Sequence, residues 1–299
     1  MRQITADTKL FGLLGHGASY SLSPAMHNHA AQLFNKDLVY LYFDIKPGDV
    51  EQFLKTFWDM GGFGLNVTMP HKIHVSKLVD ASELESVNTL VRRPDGWLGH
   101  STDGVGFLEG LKRSNNTISD FDCVIMLGSG GAAQAVLNAI AVATLNQPPV
   151  VVIHRRSKKN DRALLNAFTV SESQILTFRD FTIDSALDTM RQTAGQRRLI
   201  IQATSAPKHG SSLAEFKPIL DEMDSHDLLV DLIYDQPSSL YHFAIAKNVR
   251  CLDGLPMLIE QARMSQFHWW GKSASYDDML LAIKNSGWRG TLAPPTAGL

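Results

Sequence analysis

Cysteine is nearly missing, and two residues in 299 exclude a disulfide framework. Cys123 sits inside the apolar run CVIML and Cys251 in no motif, so no bridge between them is expected. Also missing is any apolar run long enough to cross a bilayer. The opening stretch MRQITADTKLFGLLG lacks the apolar core of a signal peptide, so a cytoplasmic protein without a membrane partner is expected. Charge of either sign is in no surplus: 28 Lys plus Arg face 30 Asp plus Glu, a net charge of −2. Without a basic field, nucleic acid is not an expected partner. The eleven histidines show no His-x-x-x-His spacing and no Cys-x-x-Cys stands beside them. The pairs His27/His29 and His71/His74 are therefore not taken for metal ligands, and no metal is expected.

What is present is the composition of a soluble globular chain, 44% hydrophobic and 19% charged. A chain of 299 residues favours two domains over one core. Apolar runs of strand length (9–15, 39–45, 64–68, 88–92, 123–127, 150–154, 199–204, 228–234) alternate with helical patterns at 24–34, 132–144, 161–168 and 256–270. That alternation predicts an α/β protein with parallel sheets and crossover helices. The polar stretch KRSNNTISD (112–120) reads as a linker. The first domain then spans 1–111, completed by C-terminal helices from about 240 to 299, and the second spans 112–239. Residues 169–198 carry no decisive pattern.

After CVIML comes GSGGAAQA, residues 128–135, and then an apolar helix. Gly128, Gly130 and Gly131, with Ser129 and Ala132, form a turn that lets backbone approach a pyrophosphate at a helix N-terminus. A bare glycine pattern is also met in tight strand–helix turns, but here a second strand, VVVIH, follows at the spacing a dinucleotide site needs. That strand ends in HRRSKKN, where an NAD site usually has an acid. Arg155, Arg156 and Ser157 instead suit a 2′-phosphate, so NADP is favoured over NAD.

Several short stretches place small polar groups at element ends. In GLNVTMPHK (64–72), Asn66 and Thr68 share one face of a strand, Pro70 ends it, and Lys72 follows. SLSPAMHN (21–28) offers Ser21 and Ser23 before a helix start, and a plain cap by Ser23 leaves Ser21 unexplained. VNTL places Asn88 at a strand start. STDGVGF places Asp103 where it either caps a helix or serves a site. Gln261 lies in the helix after GLPM, by default a surface position.

In this order, SLSPAMHN, GLNVTMPHK, VNTL, TDGVGF, GSGGAAQA, VDLIY and GLPMLIEQA resemble the shikimate dehydrogenase family across nearly the whole chain. The resemblance implies an N-terminal α/β substrate domain and a Rossmann-like dinucleotide-binding domain with a cleft between them. It implies NADP-dependent interconversion of shikimate and 3-dehydroshikimate, by a monomer or homodimer. Carried over by position, Lys72 and Asp103 resemble the family's catalytic pair. Ser21 and Ser23 resemble the carboxylate-binding residues, with Tyr234 close by. Asn66, Thr68, Asn88 and Gln261 resemble the groups that bind ring hydroxyls and orient Lys72. Thr204, Ser205, Leu232 and Gly254 fall where the family lines the nicotinamide half. A polyhydroxylated acid needs many short, fixed hydrogen-bond partners, which strand-borne Asn and Thr supply.

The chain departs from the family pattern at Gln202-Ala203-Thr204, where Asn-Ala-Thr is usual, and at Ala206-Pro207-Lys208 beyond it. Glu85-Ser86 replaces Gly-Ala, Ser101 replaces Asn, and the segment between Lys72 and Asn88 is shorter than expected. The alternatives are a quinate or quinate/shikimate dehydrogenase, and a weakly active homologue acting on another substrate.

Overall fold

The structure is a computed structural model describing residues 4–81, 84–144, 150–155, 176–180, 182–204, 217–234 and 238–288. The chain divides into two compact units, Met1–Gly106 with Ile259–Arg289, and Phe107–Leu258.

The apolar run KLFGLLG becomes β1 (Lys9–Gly15), the centre of the first unit's sheet. It lies between β2 (Leu38–Asp44) and β3 (Gly64–Val67), parallel to both, and β4 (Thr89–Arg93) and β5 (Gly96–His100) follow. Alternate residues of β1 serve two cores, as strand geometry requires. Phe11 and Leu13 join Ala31, Leu38 and Tyr40 on one side. Leu14 joins Leu65, Val67, Leu90 and Trp97 on the other. That second core is closed by α2 (Val50–Asp59), whose Val50, Leu54 and Phe57 recur at helical spacing and are buried. Each such side chain contributes about 1.5–3 kcal/mol by leaving water.

A wholly parallel sheet was expected here, yet β3–β4 and β4–β5 are antiparallel. Pro94 and Asp95 turn the chain, Gly96 takes a φ of +144° that favours glycine, and β5 returns at once beside β4. Pro-Asp-Gly is a turn signal, and reading it would have found β5. Helices α1 (Ser23–Leu33), α3 (Lys72–Val75) and α10 (Tyr276–Asn285) also belong to this unit, and α1 lies beside α10.

The second unit has a wholly parallel sheet, ordered β11-β10-β9-β6-β7-β8. Its strands are β6 (Cys123–Leu127), β7 (Val150–Arg155), β8 (Leu176–Asp180), β9 (Arg198–Gln202), β10 (Leu228–Asp231) and β11 (Arg250–Leu252). Every residue of β6 is buried. Val124 and Met126 enter one core, and Cys123, Ile125 and Leu127 the other, as a strand covered on both faces requires. Both cysteines are free and buried. The helices of this unit include α5 (Gly131–Ala143), α6 (Ile183–Gln192), α7 (Lys217–Asp221) and α8 (Ser239–Ala246). The chain runs outward from β6 in one direction and resumes at β9 in the other, which makes the β6/β9 boundary the switch point where such sheets hold ligands.

Two expected boundaries move. Residues from 240 to Leu258 belong to the second unit, because β11 pairs in register with β10 (Leu228↔Arg250). The stretch 112–120 is not a linker. Helix α4 (Asp103–Arg113) enters it, Thr117 and Asp120 form a capping box, and buried Asn116 accepts a hydrogen bond from Arg250 at 2.8 Å. The helix expected at 161–168 lies outside the described residues. Among the described residues no helix is long and apolar enough to cross a membrane.

Candidate active site

The site in the first unit is built on the ends of β3 and β4. Lys72 opens α3, one turn beyond β3 and the cis Met69–Pro70 peptide. His71 before it is buried and donates from Nε2 to Ile45 O at 2.8 Å, and burial lowers its pKa. Asp103 is the first residue of α4. Lys72 Nζ donates to Asp103 Oδ2 at 2.5 Å, with side chains 15% and 6% exposed. The other carboxylate oxygen, Oδ1, accepts from Asn88 Nδ2 at 2.9 Å. Asp103 therefore spends both oxygens on side chains from other elements, which a simple helix cap does not do.

Asn88 is itself gripped. Its amide nitrogen meets Thr102 Oγ1 at 2.9 Å and Gln261 Oε1 at 3.2 Å, and its oxygen accepts from Thr102 N at 2.7 Å. Gln261 is buried in α9 (Leu255–Trp270), not on the surface.

Asn66, which by resemblance belongs to the groups that bind ring hydroxyls and orient Lys72, is surrounded by protein partners. Its Oδ1 accepts from Tyr40 OH at 2.8 Å. Its two amide protons face three acceptors, Ser265 Oγ at 2.9 Å and Asn88 O and Thr89 Oγ1, each at 3.1 Å. This side chain is consumed inside the protein. Behind it, the buried His27 ring stacks on Tyr40 (4.5 Å between centroids), and burial pushes its pKa down to about 3. Thr68 is half-buried, and its methyl fills the space a Cβ on Gly15 would need.

Ser21 and Ser23 come together, Ser21 Oγ donating to Ser23 Oγ at 3.2 Å. The cap of α1 is Leu22, without a side-chain bond, so capping does not explain Ser23. Two adjacent hydroxyls at the start of an eleven-residue helix suit an anion.

In the second unit, Gly128 has a φ of +117°, and a Cβ there would press on Thr204 Cγ2 at 3.0 Å. Only glycine fits this turn between β6 and α5. Gly130 differs: its φ of −75° suits any residue, and among the described residues nothing lies within 4 Å of where its Cβ would point. That open cradle, at a helix start with no side-chain cap, fits a phosphate. Ser129, Gly131 and Ala132 are half-buried around it. Gln202 is wholly buried and closes the following turn: its Oε1 accepts from Thr204 N at 2.6 Å, and its Nε2 donates to Thr204 O at 2.8 Å. Leu232 and Gly254 also meet, since a Cβ on Gly254 would overlap Leu232 O. Tyr234 is half-buried in this unit. Arg155 ends β7, while Arg156, Ser157 and Ser205 lie outside the described residues.

Sequence reasoning missed Tyr40, Thr89, Thr102 and Ser265. The one available signal was spacing, because Ser265 lies four residues after Gln261 on the same helix face.

A family model for the shikimate dehydrogenase substrate binding domain matches residues 13–90. The shikimate dehydrogenase (NADP(+)) of Bacillus licheniformis is 31% identical over 279 residues, covering 90% of this chain and 94% of that protein. Among solved structures, shikimate dehydrogenase from Aquifex aeolicus superposes with a TM-score of 0.80 at 26% identity, over 94% of this chain and 100% of that one. Shikimate 5-dehydrogenase from Thermus thermophilus, in complex with NADP(H) and shikimate, gives 0.75 at 26% identity, over 93% and 99%.

Proposed function

The chain belongs to the shikimate dehydrogenase family, and from that premise we propose that it oxidises shikimate to 3-dehydroshikimate with NADP(+), reversibly. The observation that carries this reading is the Lys72–Asp103 contact of 2.5 Å, held from behind by Asn88.

In the forward direction the 3-hydroxyl gives its proton to the Lys72 amine, which becomes the ammonium held by Asp103, while its carbon loses a hydride, giving the ketone; in reverse that ammonium returns the proton. Bound NADP(+) supplies the acceptor for that hydride. Lys72 has three N–H donors and gives one to Asp103, which leaves donors for the substrate oxygen. Asp103, fixed by two partners, keeps the ammonium aimed as the proton moves.

We assign the first unit to the substrate and the second to NADP. Ser21 and Ser23 hold the carboxylate, and Thr68 and Gln261 meet ring hydroxyls. Asn88 orients Asp103, and Asn66 supports the site from inside the protein. Gly128 to Ala132 receive the pyrophosphate. Arg155 and Arg156, with Ser157, hold the 2′-phosphate. Thr204, Ser205, Leu232 and Gly254 line the nicotinamide half. Gln202 fits this role despite departing from the usual Asn, since its side chain fixes Thr204 through two bonds.

Initial rates with shikimate and quinate, each with NADP(+) and NAD(+), test the reading. The expected result is the highest kcat/KM for shikimate with NADP(+). A higher value for quinate would transfer the assignment to quinate oxidation, and no turnover of either acid would overturn it.

A further inference from the structure

Around Asn66 lies a buried set of neutral groups that touches no expected ligand, and its bonds run in one direction. Ser265, in α9, is wholly buried. Its hydroxyl donates to the Gln261 carbonyl at 3.0 Å, one turn back. That uses its only proton, so it accepts from Asn66 Nδ2 at 2.9 Å and from the Thr89 hydroxyl at 2.8 Å. Thr89 is wholly buried too, and it stands directly opposite Asn66 in the β3–β4 ladder. Tyr40 closes the far end by donating to Asn66 Oδ1.

Two of these bonds end on the residues that hold Asp103. Asn66 Nδ2 reaches the carbonyl of Asn88, whose own amide donates to Asp103 Oδ1. Ser265 holds the carbonyl of Gln261, whose side-chain oxygen accepts from the same Asn88 amide. The clamp on Asp103 thus rests on Ser265 twice, through β4 and through α9.

We propose that Ser265 and Thr89 are positioning residues for the reaction assigned above, acting through Asn66 and Gln261 to hold Asn88 and Asp103 in register with Lys72. Deleting either hydroxyl removes one of the three acceptors that share the two Asn66 amide protons, and the Asn66 amide shifts toward the two that remain. The Asn88 carbonyl, still held by Val67 N at 2.8 Å, then loses the alignment of its second donor, and the Asn88 amide is aimed less firmly at Asp103. Small losses of alignment in a proton-transfer pair reduce turnover more than substrate binding.

The test compares Ser265→Ala, Thr89→Val and Thr89→Ser in the full chain. Thr89→Val deletes the hydroxyl at nearly constant shape, and Thr89→Ser restores it. With shikimate and NADP(+), kcat should fall about tenfold in Ser265→Ala and Thr89→Val, the effect of one or two neutral hydrogen bonds. KM for shikimate and for NADP(+) should stay within about threefold, and Thr89→Ser should recover most of the loss. A kcat equal to the parent's in both deletions overturns the proposal, as does a loss confined to KM.

A second readout needs no turnover. The Asn66 and Asn88 side-chain amide signals should be sharp and slow to exchange in the parent, and should broaden or exchange faster in both deletions. Unchanged signals overturn the proposal even if activity falls. If the parent does not turn over shikimate, the assigned reaction falls, and the amide signals still decide whether this network holds Asn88.

Discussion

The two units each contain a close contact between an aspartate and a cation, and the contacts are built for opposite ends. In the second unit, Arg198 and Asp227 meet at 2.6 Å with side chains 2% and 0% exposed. Every guanidinium nitrogen is bound, and four of its five N–H groups are used: Nε and Nη2 bind both carboxylate oxygens, Nη1 binds Met190 O at 2.7 Å, and Nη2 also binds Glu222 O at 2.8 Å. Asp227 further accepts from Asp224 N at 3.0 Å. Burial closes this pair to a ligand. In the first unit, Lys72 and Asp103 meet at 2.5 Å, but the ammonium is part exposed and, among the described residues, its remaining donors meet no protein acceptor. A planar fork bound at every nitrogen is a rivet. A point charge on a flexible stem, held on one side only, is available for chemistry.

The largest effect should come from the open pair. Lys72→Ala is expected to lower kcat with shikimate by about 10²–10⁴-fold, the range for loss of a general acid–base group. The melting midpoint should fall less than in Arg198→Met below, because Asp103 is less deeply buried than Asp227 and keeps its bond from Asn88, and Lys72→Met should behave alike at nearly constant volume. A Lys72→Ala enzyme with near-parent kcat would remove the catalytic role.

The closed pair should respond in stability. Arg198→Met leaves a buried carboxylate uncompensated and should cost about 3–5 kcal/mol in urea unfolding. Adding Asp227→Leu should recover much of it, because an apolar pair of similar size avoids the desolvation penalty altogether. If Arg198→Met unfolded at the parent's midpoint, the contrast between the two pairs would collapse.

Asp253 sharpens the comparison from a third side, being a buried carboxyl that accepts from Leu255 N at 3.0 Å and, among the described residues, forms no ion pair. Burial pushes its pKa up from 3.8 to about 6. The folded state therefore favours the protonated form. Its contribution is complete below 3.8 and is lost as pH rises through about 6. Asp253→Asn should raise stability by about 2–3 kcal/mol near pH 8 relative to the parent, and by little near pH 4. Unfolding midpoints at both pH values check this, and a gain at neither would show that the carboxyl is not strained.

How much was legible differs residue by residue. KLFGLLG and CVIML announced β1 and β6, since apolar runs bounded by turn residues have few alternatives. Gly128 was read correctly as a turn that needs glycine, whereas Gly130 is free in conformation and matters for the space it leaves. Asn66 shows the limit most clearly. Alternation put it on a polar face of β3, but whether that face meets a ligand or α9 depends on Ser265, 199 positions away. Ser265 had no local signal of burial, because a serine in a helix reads as solvent-facing until the packing is known. Arg198 likewise lies in a strand whose apolar neighbours gave no hint of Asp227.

The first unit is made from two separate lengths of chain, and this has a consequence for the order of synthesis. By the time Leu258 leaves the ribosome, every residue of the second unit's described sheet has been made, while the first unit still lacks Ile259–Arg289. Gln261, Ser265 and Trp269, whose indole binds Leu90 O at 3.0 Å, come from that late segment. The usual order, in which the N-terminal domain folds first as it emerges, is therefore inverted. A chain released before Ile259 carries Lys72 and Asp103 but neither Gln261 nor Ser265, so an aligned site has to wait until Ile259–Arg289 has been made.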